Sequence, residues 1–142
     1  MTDKGAQQDK ISLTAPARFL NLDLVLRSNS DLTPIIRYFG ERVIVLTHEE
    51  SNGNWILVLE LADDPAQKEP AVYTERFLAM MSKFPEDVRE FWEACTSRTF
   101  SYGFDGGVNS AALDTTIKAD LLMQISRFGA DIGITVYPFR QP

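Results

Sequence analysis

A histidine followed by two carboxylates is the first group in this chain whose residue types suggest acid–base chemistry. His48 is the single histidine, and Glu49 and Glu50 follow it directly. Histidine titrates near neutral pH, so this group could act as a general base beside carboxylates. The alternative is a solvent-exposed histidine at the shoulder of a β-hairpin, and it is favoured because hairpin ends are usually solvated.

A second candidate site surrounds a glycine-containing loop over residues 105–113. Arg98, Tyr102 and Asp105 would supply polar contacts from the strand that precedes this loop. The loop leads toward a predicted helix, whose N-terminal backbone donors can receive an anion. It is also longer than the corresponding connection in the first half of the chain. The sequence therefore leaves two readings, a small-molecule or enzymatic site and a flexible glycine loop.

Other motifs with known chemistry are missing from the sequence. The glycines near residues 103–107 fit neither the P-loop nor the dinucleotide-binding spacing. A single histidine and the lack of a Cys-x-x-Cys pair argue against the common metal sites. Cys95 shares an apolar stripe with Phe91 and Trp92, which favours core packing over a nucleophilic role. We therefore expect no catalytic residue, no metal and no cofactor.

The acidic balance of the chain limits its partners. It has 20 acidic and 14 basic residues, and its formal net charge is −6. Such a surface disfavours nucleic acid and anionic membranes, so we expect neither as a partner. It would suit a basic protein, and it leaves a homodimer open. One cysteine cannot form an internal disulfide, and no apolar stretch resembles a signal peptide, so we expect a cytoplasmic protein.

These residues must be positioned by a fold in which one local pattern occurs twice. An amphipathic helix, an aromatic–glycine stop and an alternating strand follow one another in both copies. The first copy contains Leu32, Ile36, Phe39, Gly40, Val43 and Val45. The second contains Leu121, Ile125, Phe128, Gly129, Ile132 and Ile134. Each copy follows a further strand, so the pattern predicts two related β-α-β units.

The remaining periodicities complete the predicted fold. Strands are predicted over residues 18–27, 43–47, 55–61, 98–104 and 132–137. Asn52-Gly53 predicts a turn that joins the second and third strands as a hairpin, and helices lie between the other strands. Asp114, Thr115 or Thr116 is expected to cap the last helix. The predicted class is α+β, with a mixed five-stranded sheet, the order β-α-β-β-α-α-β-α-β and two pseudo-symmetric β-α-β units. We expect one domain over residues 17–138, a flexible N-terminal tail over 1–16 and a C-terminal tail over 139–142.

Three stretches of the chain resemble a family of bacterial domains of unknown function, the family numbered 4279. They are the phrases Gly53-Asn54-Trp55-Ile56-Leu57, Phe100-Ser101-Tyr102-Gly103-Phe104 and Phe128-Gly129-Ala130-Asp131-Ile132-Gly133-Ile134-Thr135-Val136-Tyr137. The resemblance covers about residues 17–138. It implies an α/β fold with this strand order and supplies no reaction and no catalytic residue.

Two functions from different classes follow. The favoured one is a small non-catalytic binding or interaction protein, such as an immunity protein that neutralises a toxin by binding it. Small acidic proteins of this kind look like immunity proteins in size and charge. The alternative is a small-molecule-binding domain or enzyme that uses the 105–113 loop. The first is preferred because no activated nucleophile or acid–base pair is visible in the sequence.

Overall fold

The computed structural model describes residues 13–139 and has the predicted order of elements. Nine helices and strands follow one another along the described part of the chain. They are β1 (Arg18–Ser28), α1 (Thr33–Phe39), β2 (Val43–Ser51), β3 (Asn54–Leu61), α2 (Pro70–Met81), α3 (Glu86–Glu93), β4 (Ser97–Asp105), α4 (Ala119–Arg127) and β5 (Asp131–Tyr137). The α+β class and the mixed sheet of five strands are therefore confirmed.

The five strands lie side by side in the order β2-β3-β1-β4-β5. Four neighbouring pairs join them, and only the pair β4–β5 is parallel. The two β-α-β units differ in one respect. Strand β3 lies between β1 and β2 in the first unit, whereas β4 and β5 are direct neighbours in the second. The strands β2 and β5 therefore form the two edges of the sheet.

One face of the sheet is covered by the helices. Alternate residues of the central strand, Leu22, Leu24 and Leu26, are fully buried in one hydrophobic cluster with the apolar side chains of all four helices. The residues between them, such as Asp23 and Val25, are only partly buried. Side chains alternate between the two faces of a strand, so the second face of the sheet carries no helix of the described chain.

Three glycines have the backbone conformations that the sequence predicts. Gly40 after α1 and Gly129 after α4 have the predicted positive φ, 58° and 67°, although the ψ of −133° at Gly40 lies outside the left-handed helical region. Gly53 and the preceding Asn52 have φ of 80° and 54° at the β2–β3 turn. Positive φ at both central residues is the type I′ geometry that Asn-Gly favours in hairpins. The helix stops and the hairpin are therefore confirmed.

Several boundaries differ from the prediction. Helix α4 begins at Ala119, so Asp114, Thr115 and Thr116 do not cap it. The reason is local, because Lys118 has extended backbone angles and Ile117 packs against the core from a non-helical segment. The predicted 105–113 loop therefore continues to residue 118.

The expected tails are described only in part. Of the predicted N-terminal tail, residues 1–12 lie outside the described range, as do residues 140–142 at the other end. Ala15 is paired with Val108 by two backbone hydrogen bonds of 2.9 Å. The chain is therefore held to the 105–118 loop before β1 begins.

Candidate functional site

Arg98, at the start of β4, forms hydrogen bonds with backbone carbonyls of the protein itself and so has a structural role. Its guanidinium donates hydrogen bonds to the carbonyls of Trp92 (2.9 Å), Cys95 (3.0 Å) and Gly129 (3.0 Å). Trp92 lies in the last turn of α3, Cys95 follows that helix, and Gly129 follows α4. A cation at helix C-termini satisfies carbonyls that have no partner within the helix. Arg98 therefore joins two helix ends to the sheet.

Tyr102 in the middle of β4 is also part of the core. Its hydroxyl is 2.6 Å from the hydroxyl of Thr74, which donates to the carbonyl of Pro70 at 2.7 Å. Desolvation by burial raises the pKa of Tyr102 above its usual value. This chain of hydrogen bonds satisfies two buried hydroxyls and fixes the start of α2 on the sheet.

Asp105 at the end of β4 organises the following turn. Its Oδ1 accepts a hydrogen bond of 2.9 Å from the backbone N–H of Gly107, and its Oδ2 lies 3.9 Å from Nε of Arg18. Arg98 and Asp105 are near opposite ends of the strand, about 24 Å apart at the usual rise per residue. The structure therefore does not bring Arg98, Tyr102 and Asp105 together.

His48 lies within β2 and is largely covered, which corrects the expectation of an exposed histidine at a hairpin shoulder. Its ring stacks on Trp55 with centroids 4.9 Å apart, and 21% of the side chain is exposed. Its Nε2 is 3.4 Å from Oδ1 of Asp31, a carboxylate that the sequence did not associate with it. The stacking on Trp55 is the physical reason for the difference.

Asp31 itself is engaged with the start of α1. Its Oδ1 accepts hydrogen bonds from the hydroxyl (2.6 Å) and the backbone N–H (2.8 Å) of Thr33. These two bonds lower the pKa of Asp31, with a smaller contribution from His48. The cluster is a hydrogen-bonded turn that also reaches the histidine.

Glu49 and Glu50 point to opposite faces of the sheet. Glu49 is opposite Ile56 and Glu50 is opposite Trp55 in the β2–β3 ladder. Consecutive residues of a strand project to opposite sides, so the two carboxylates cannot act together on one ligand. Both are exposed. The predicted group of His48, Glu49 and Glu50 is therefore split between two surfaces.

The outer face of α3 carries the densest group of acidic residues on a single helix of the described chain. The face consists of Glu86, Asp87, Glu90 and Glu93, all of which are exposed. Among residues 13–139, none of the four is ion-paired with a basic side chain. We call these four residues the α3 acidic face.

Two features of the α3 acidic face disfavour the isolated helix. Glu86, Glu90 and Glu93 follow one another at spacings of four and three residues, and like charges at such spacings cost a few tenths of a kcal/mol each. Arg89, three residues after Glu86 and four before Glu93, offsets part of this repulsion. Glu93 also lies in the last turn, which contains no basic residue. A negative charge there opposes the helix dipole. Only Glu86 and Asp87, in the first turn, favour it.

A groove of about 420 Å³ runs beside the α3 acidic face, between α1 and α3. Pro34, Tyr38, Asp87 and Phe91 line it, and Arg37 lies on its α1 side. Tyr38 and Phe91 are partly buried, so part of each ring faces the groove. Aromatic side chains bordered by charges are typical of the anchoring points of protein interfaces.

A second cavity, of about 550 Å³, adjoins the far end of the 105–118 loop. Its lining includes Arg18, Phe19, Lys68, Phe104 and Thr115. Arg98, Tyr102 and Asp105 do not line it. Arg18 and Lys68 are its cations, and each lies within ion-pair distance of an aspartate.

The helix-free face of the sheet carries a pair of carboxylates that the sequence did not predict to be neighbours. Asp23 and Glu60 are directly opposite in the β1–β3 ladder, and the Asn21 amide donates to both, at 3.2 Å and 3.4 Å. Burial, together with the adjacent Glu60, raises the pKa of Asp23 to about 6. The alternation of β1 places Asp23 on the polar side, but only the strand order brings Glu60 beside it.

The lone thiol has the environment that its apolar stripe predicts. Cys95 is buried, and burial raises its pKa to about 11, an effect that Arg98 partly offsets. A thiol with a raised pKa is rarely ionised near neutrality, and the thiolate is the nucleophilic form. Core packing is therefore confirmed for Cys95.

Within residues 13–139, no three or more His, Cys, Asp or Glu side chains are grouped as metal ligands. None of the helices in that range is both long and apolar enough to cross a membrane. The chain matches no model of a protein family, no curated protein and no solved structure. The resemblance to the family numbered 4279 therefore stays a prediction.

Proposed function

We propose that this chain is a non-catalytic interaction protein that holds a basic partner protein on the α3 acidic face and the adjoining groove. The observation that carries the proposal is the set of four exposed carboxylates on α3 that have no ion-pair partner within the described residues. Such charges are free to attract basic side chains of another protein.

The groove adds a means of anchoring the partner. Charges at the rim of an interface mainly accelerate association, whereas partly buried aromatic side chains contribute most of the affinity. Tyr38 and Phe91 lie beside Asp87 in the same groove. A basic partner would therefore be steered by the carboxylates and held by apolar contacts to the two rings.

An immunity protein is the specific form of this function that we favour. Its partner would be a basic toxin, and neutralisation would consist of covering the toxin's basic surface. The proposal places this encounter in the bacterial cytoplasm. It rests on small size, a net charge of −6 and the α3 acidic face.

The test compares two double variants with the same net charge. Glu86→Lys with Glu90→Lys reverses the α3 acidic face, and Glu49→Lys with Glu50→Lys makes the same change on β2. The tagged chain is used to isolate partners from the cells that produce it. We expect a basic protein that the α3 variant loses and the β2 variant keeps. Equal retention by both variants would contradict the proposal.

A growth assay separates the immunity function from other binding functions. The basic protein that co-purifies is expressed alone and then together with each variant. Growth arrest that the wild type and the β2 variant relieve, and the α3 variant does not, is the expected result. A partner without toxicity would refute the immunity function and leave the interaction function in place.

The second candidate function is the binding of a small anionic molecule in the cavity next to the 105–118 loop. The cavity volume of about 550 Å³ falls within the usual range for ligand sites, and Arg18 and Lys68 supply positive charge beside the carboxylates of Glu69 and Asp114. The test is thermal unfolding with a panel of small phosphates and carboxylates. A stabilising compound whose effect Arg18→Ala removes would favour this function over the first.

A further inference from the structure

The outer edge of β5 has backbone groups that pair with no strand among residues 13–139. The Tyr137 carbonyl accepts a hydrogen bond of 2.9 Å from Gly106 N–H, so the Tyr137 backbone faces β4. Backbone direction alternates along a strand. The N–H and C=O groups of Ile132, Ile134 and Val136 therefore point away from β4. The sheet ends at β5, so no described strand pairs with them.

The same three residues present apolar side chains to solvent. Ile132, Ile134 and Val136 are 38%, 69% and 61% exposed. They are opposite Phe100, Tyr102 and Phe104 in the β4–β5 ladder and so belong to the face that the helices cover elsewhere. The helical layer does not reach this edge. An apolar stripe thus lies beside a row of free hydrogen-bonding groups.

The opposite edge strand, β2, has features that hinder pairing with another chain, and β5 lacks them. Strand β2 also exposes apolar side chains, those of Ile44, Val45 and Leu46, but it has an irregular register between Val45 and Thr47 and carries Glu49 and Glu50. Bulges and charges are the usual means of preventing an edge strand from pairing with another chain. In β5 the ladder to β4 is regular, and Asp131 at its first position is the only charged residue.

We propose that β5 pairs with β5 of a second copy of this chain, antiparallel and centred on Ile134, to form one continuous sheet of ten strands. Ile134 is then opposite its own copy, and Ile132 is opposite Val136. The outward-pointing residues are also the ones that would exchange hydrogen bonds in this register. The arrangement is a closed two-fold interface and does not lead to filaments.

Charge and composition favour this occupant and this direction. The antiparallel register places each Asp131 opposite a Tyr137, whereas a parallel register would place the two Asp131 side chains next to each other. The segment outside the described range at the N-terminus, residues 1–12, is mostly polar and charged, so it suits the apolar stripe poorly. A second copy offers the same stripe on a strand whose only charged residue is Asp131 at one end.

Cysteine cross-linking tests the register directly. At the two-fold centre, the Cα atoms of Ile134→Cys would be about 5.5 Å apart, within disulfide reach. Ile132→Cys alone would place its two Cα atoms about 14 Å apart, too far for a disulfide. Ile132→Cys combined with Val136→Cys would place a cysteine of one copy opposite a cysteine of the other. We expect covalent dimers from the first and third variants and none from Ile132→Cys or the wild type, whose Cys95 is buried.

Sedimentation over a concentration series tests the dimer without modification. Interfaces of this small size dissociate on dilution, so we expect a concentration-dependent monomer–dimer equilibrium. Ile134→Lys should abolish the dimer because it places two like charges together. Ile44→Lys on β2 is the control, since Ile44 is also an exposed apolar residue of an edge strand, and it should leave the dimer intact.

Three results would overturn the proposal. One is a chain that stays monomeric at all soluble concentrations. Another is cross-linking by Ile132→Cys alone or by Ile44→Cys, either of which would indicate a different register or edge. The third is a monomer whose Ile134 amide is protected from hydrogen exchange, because residues 1–12 would then occupy the edge.

Discussion

The ionised form of Asp23 is destabilised in the folded protein by burial and by the neighbouring carboxylate of Glu60. Its carboxyl is half-buried next to Glu60, and its pKa is raised to about 6, compared with an ordinary value of 3.8. Between these two pH values the unfolded chain has released the proton and the folded chain still holds it. Stability contributed by the protonated form is therefore full at low pH and is lost as the pH rises through 6.

Asp23→Asn should therefore stabilise the protein at pH 8 and have little effect at pH 4. Two pKa units correspond to about 3 kcal/mol, and partial exposure reduces the expected gain to about 1 kcal/mol. Urea denaturation at both pH values is the measurement. Glu49→Gln, an equal change of charge at an exposed site, is the control. A gain that is the same at both pH values would contradict the raised pKa.

Gly40 and Gly129 differ in what a side chain would meet. A Cβ at Gly40 would have no atom within 4 Å, whereas at Gly129 it would be 2.9 Å from Nη2 of Arg98. Both glycines have positive φ, and Gly40, with ψ of −133°, lies outside the left-handed helical region; such conformations cost an L residue about 1–3 kcal/mol. Gly40→Ala should show this strain alone. Gly129→Ala should destabilise more, because Arg98 is held by carbonyls and cannot move away freely.

Chemical denaturation of the two alanine variants checks this difference. The expected order of unfolding midpoints is wild type, then Gly40→Ala, then Gly129→Ala. If Gly129→Ala were no worse than Gly40→Ala, the contact with Arg98 would be of no energetic importance.

Among the candidate residues predicted from the sequence, Arg98 links the largest number of helices and strands. It links the ends of α3 and α4 to the start of β4. Trp92 adds a parallel link, because its indole Nε1 donates to the Phe128 carbonyl at 2.9 Å. The α3 acidic face is thereby held on a helix whose C-terminal end is fixed.

Arg98→Met should destabilise the protein by about 2 kcal/mol, since it removes charged hydrogen bonds and leaves helix-end carbonyls without a partner. Arg98→Lys should recover part of the loss, because an ammonium group donates to fewer carbonyls than a guanidinium group. Thermal and urea unfolding of both variants are the measurements. Equal stability of Arg98→Met and the wild type would show that water replaces these bonds at no cost.

Local sequence patterns predicted most of the helices and strands, and the one wrong helix start has a physical reason. The Asn-Gly turn and the aromatic–glycine stops each depend on neighbouring residues, and the structure confirms them. The alternation in β1 holds for Leu22, Leu24 and Leu26, but a bulge between Phe19 and Asn21 interrupts it before Leu22. The start of α4 was wrong because Ile117 keeps helical spacing to Leu121 while packing from an extended segment. Periodicity alone does not distinguish these two states.

The candidate sites were harder to predict because they depend on which strands are neighbours. The pairing of Asp23 with Glu60 arises only because β3 lies beside β1. Likewise, His48 in β2 lies close to Asp31, which belongs to the loop between β1 and α1. Arg98, Tyr102 and Asp105 looked like one site because they are close in sequence, but a strand separates its ends and alternates its faces.

At the scale of the whole molecule, the proposed surfaces occupy different regions. The α3 acidic face lies on the helical side of the fold, and the self-pairing edge is β5 at one end of the sheet. Binding of a basic partner and pairing of two copies are therefore separable by mutation. Ile134→Lys should leave binding of the basic partner by each copy unchanged, as titration of the partner against the monomeric variant would show.

If the α3 acidic face binds a basic partner, the rate at which that partner associates with the chain should depend on ionic strength. Attraction between exposed charges is screened beyond about 8 Å at physiological salt, so steering should weaken as salt is added. We predict that salt slows association much more than it speeds dissociation, and that Glu86→Lys with Glu90→Lys reproduces the slowing while Glu49→Lys with Glu50→Lys does not. An association rate that ignores both salt and the α3 reversal would contradict the account.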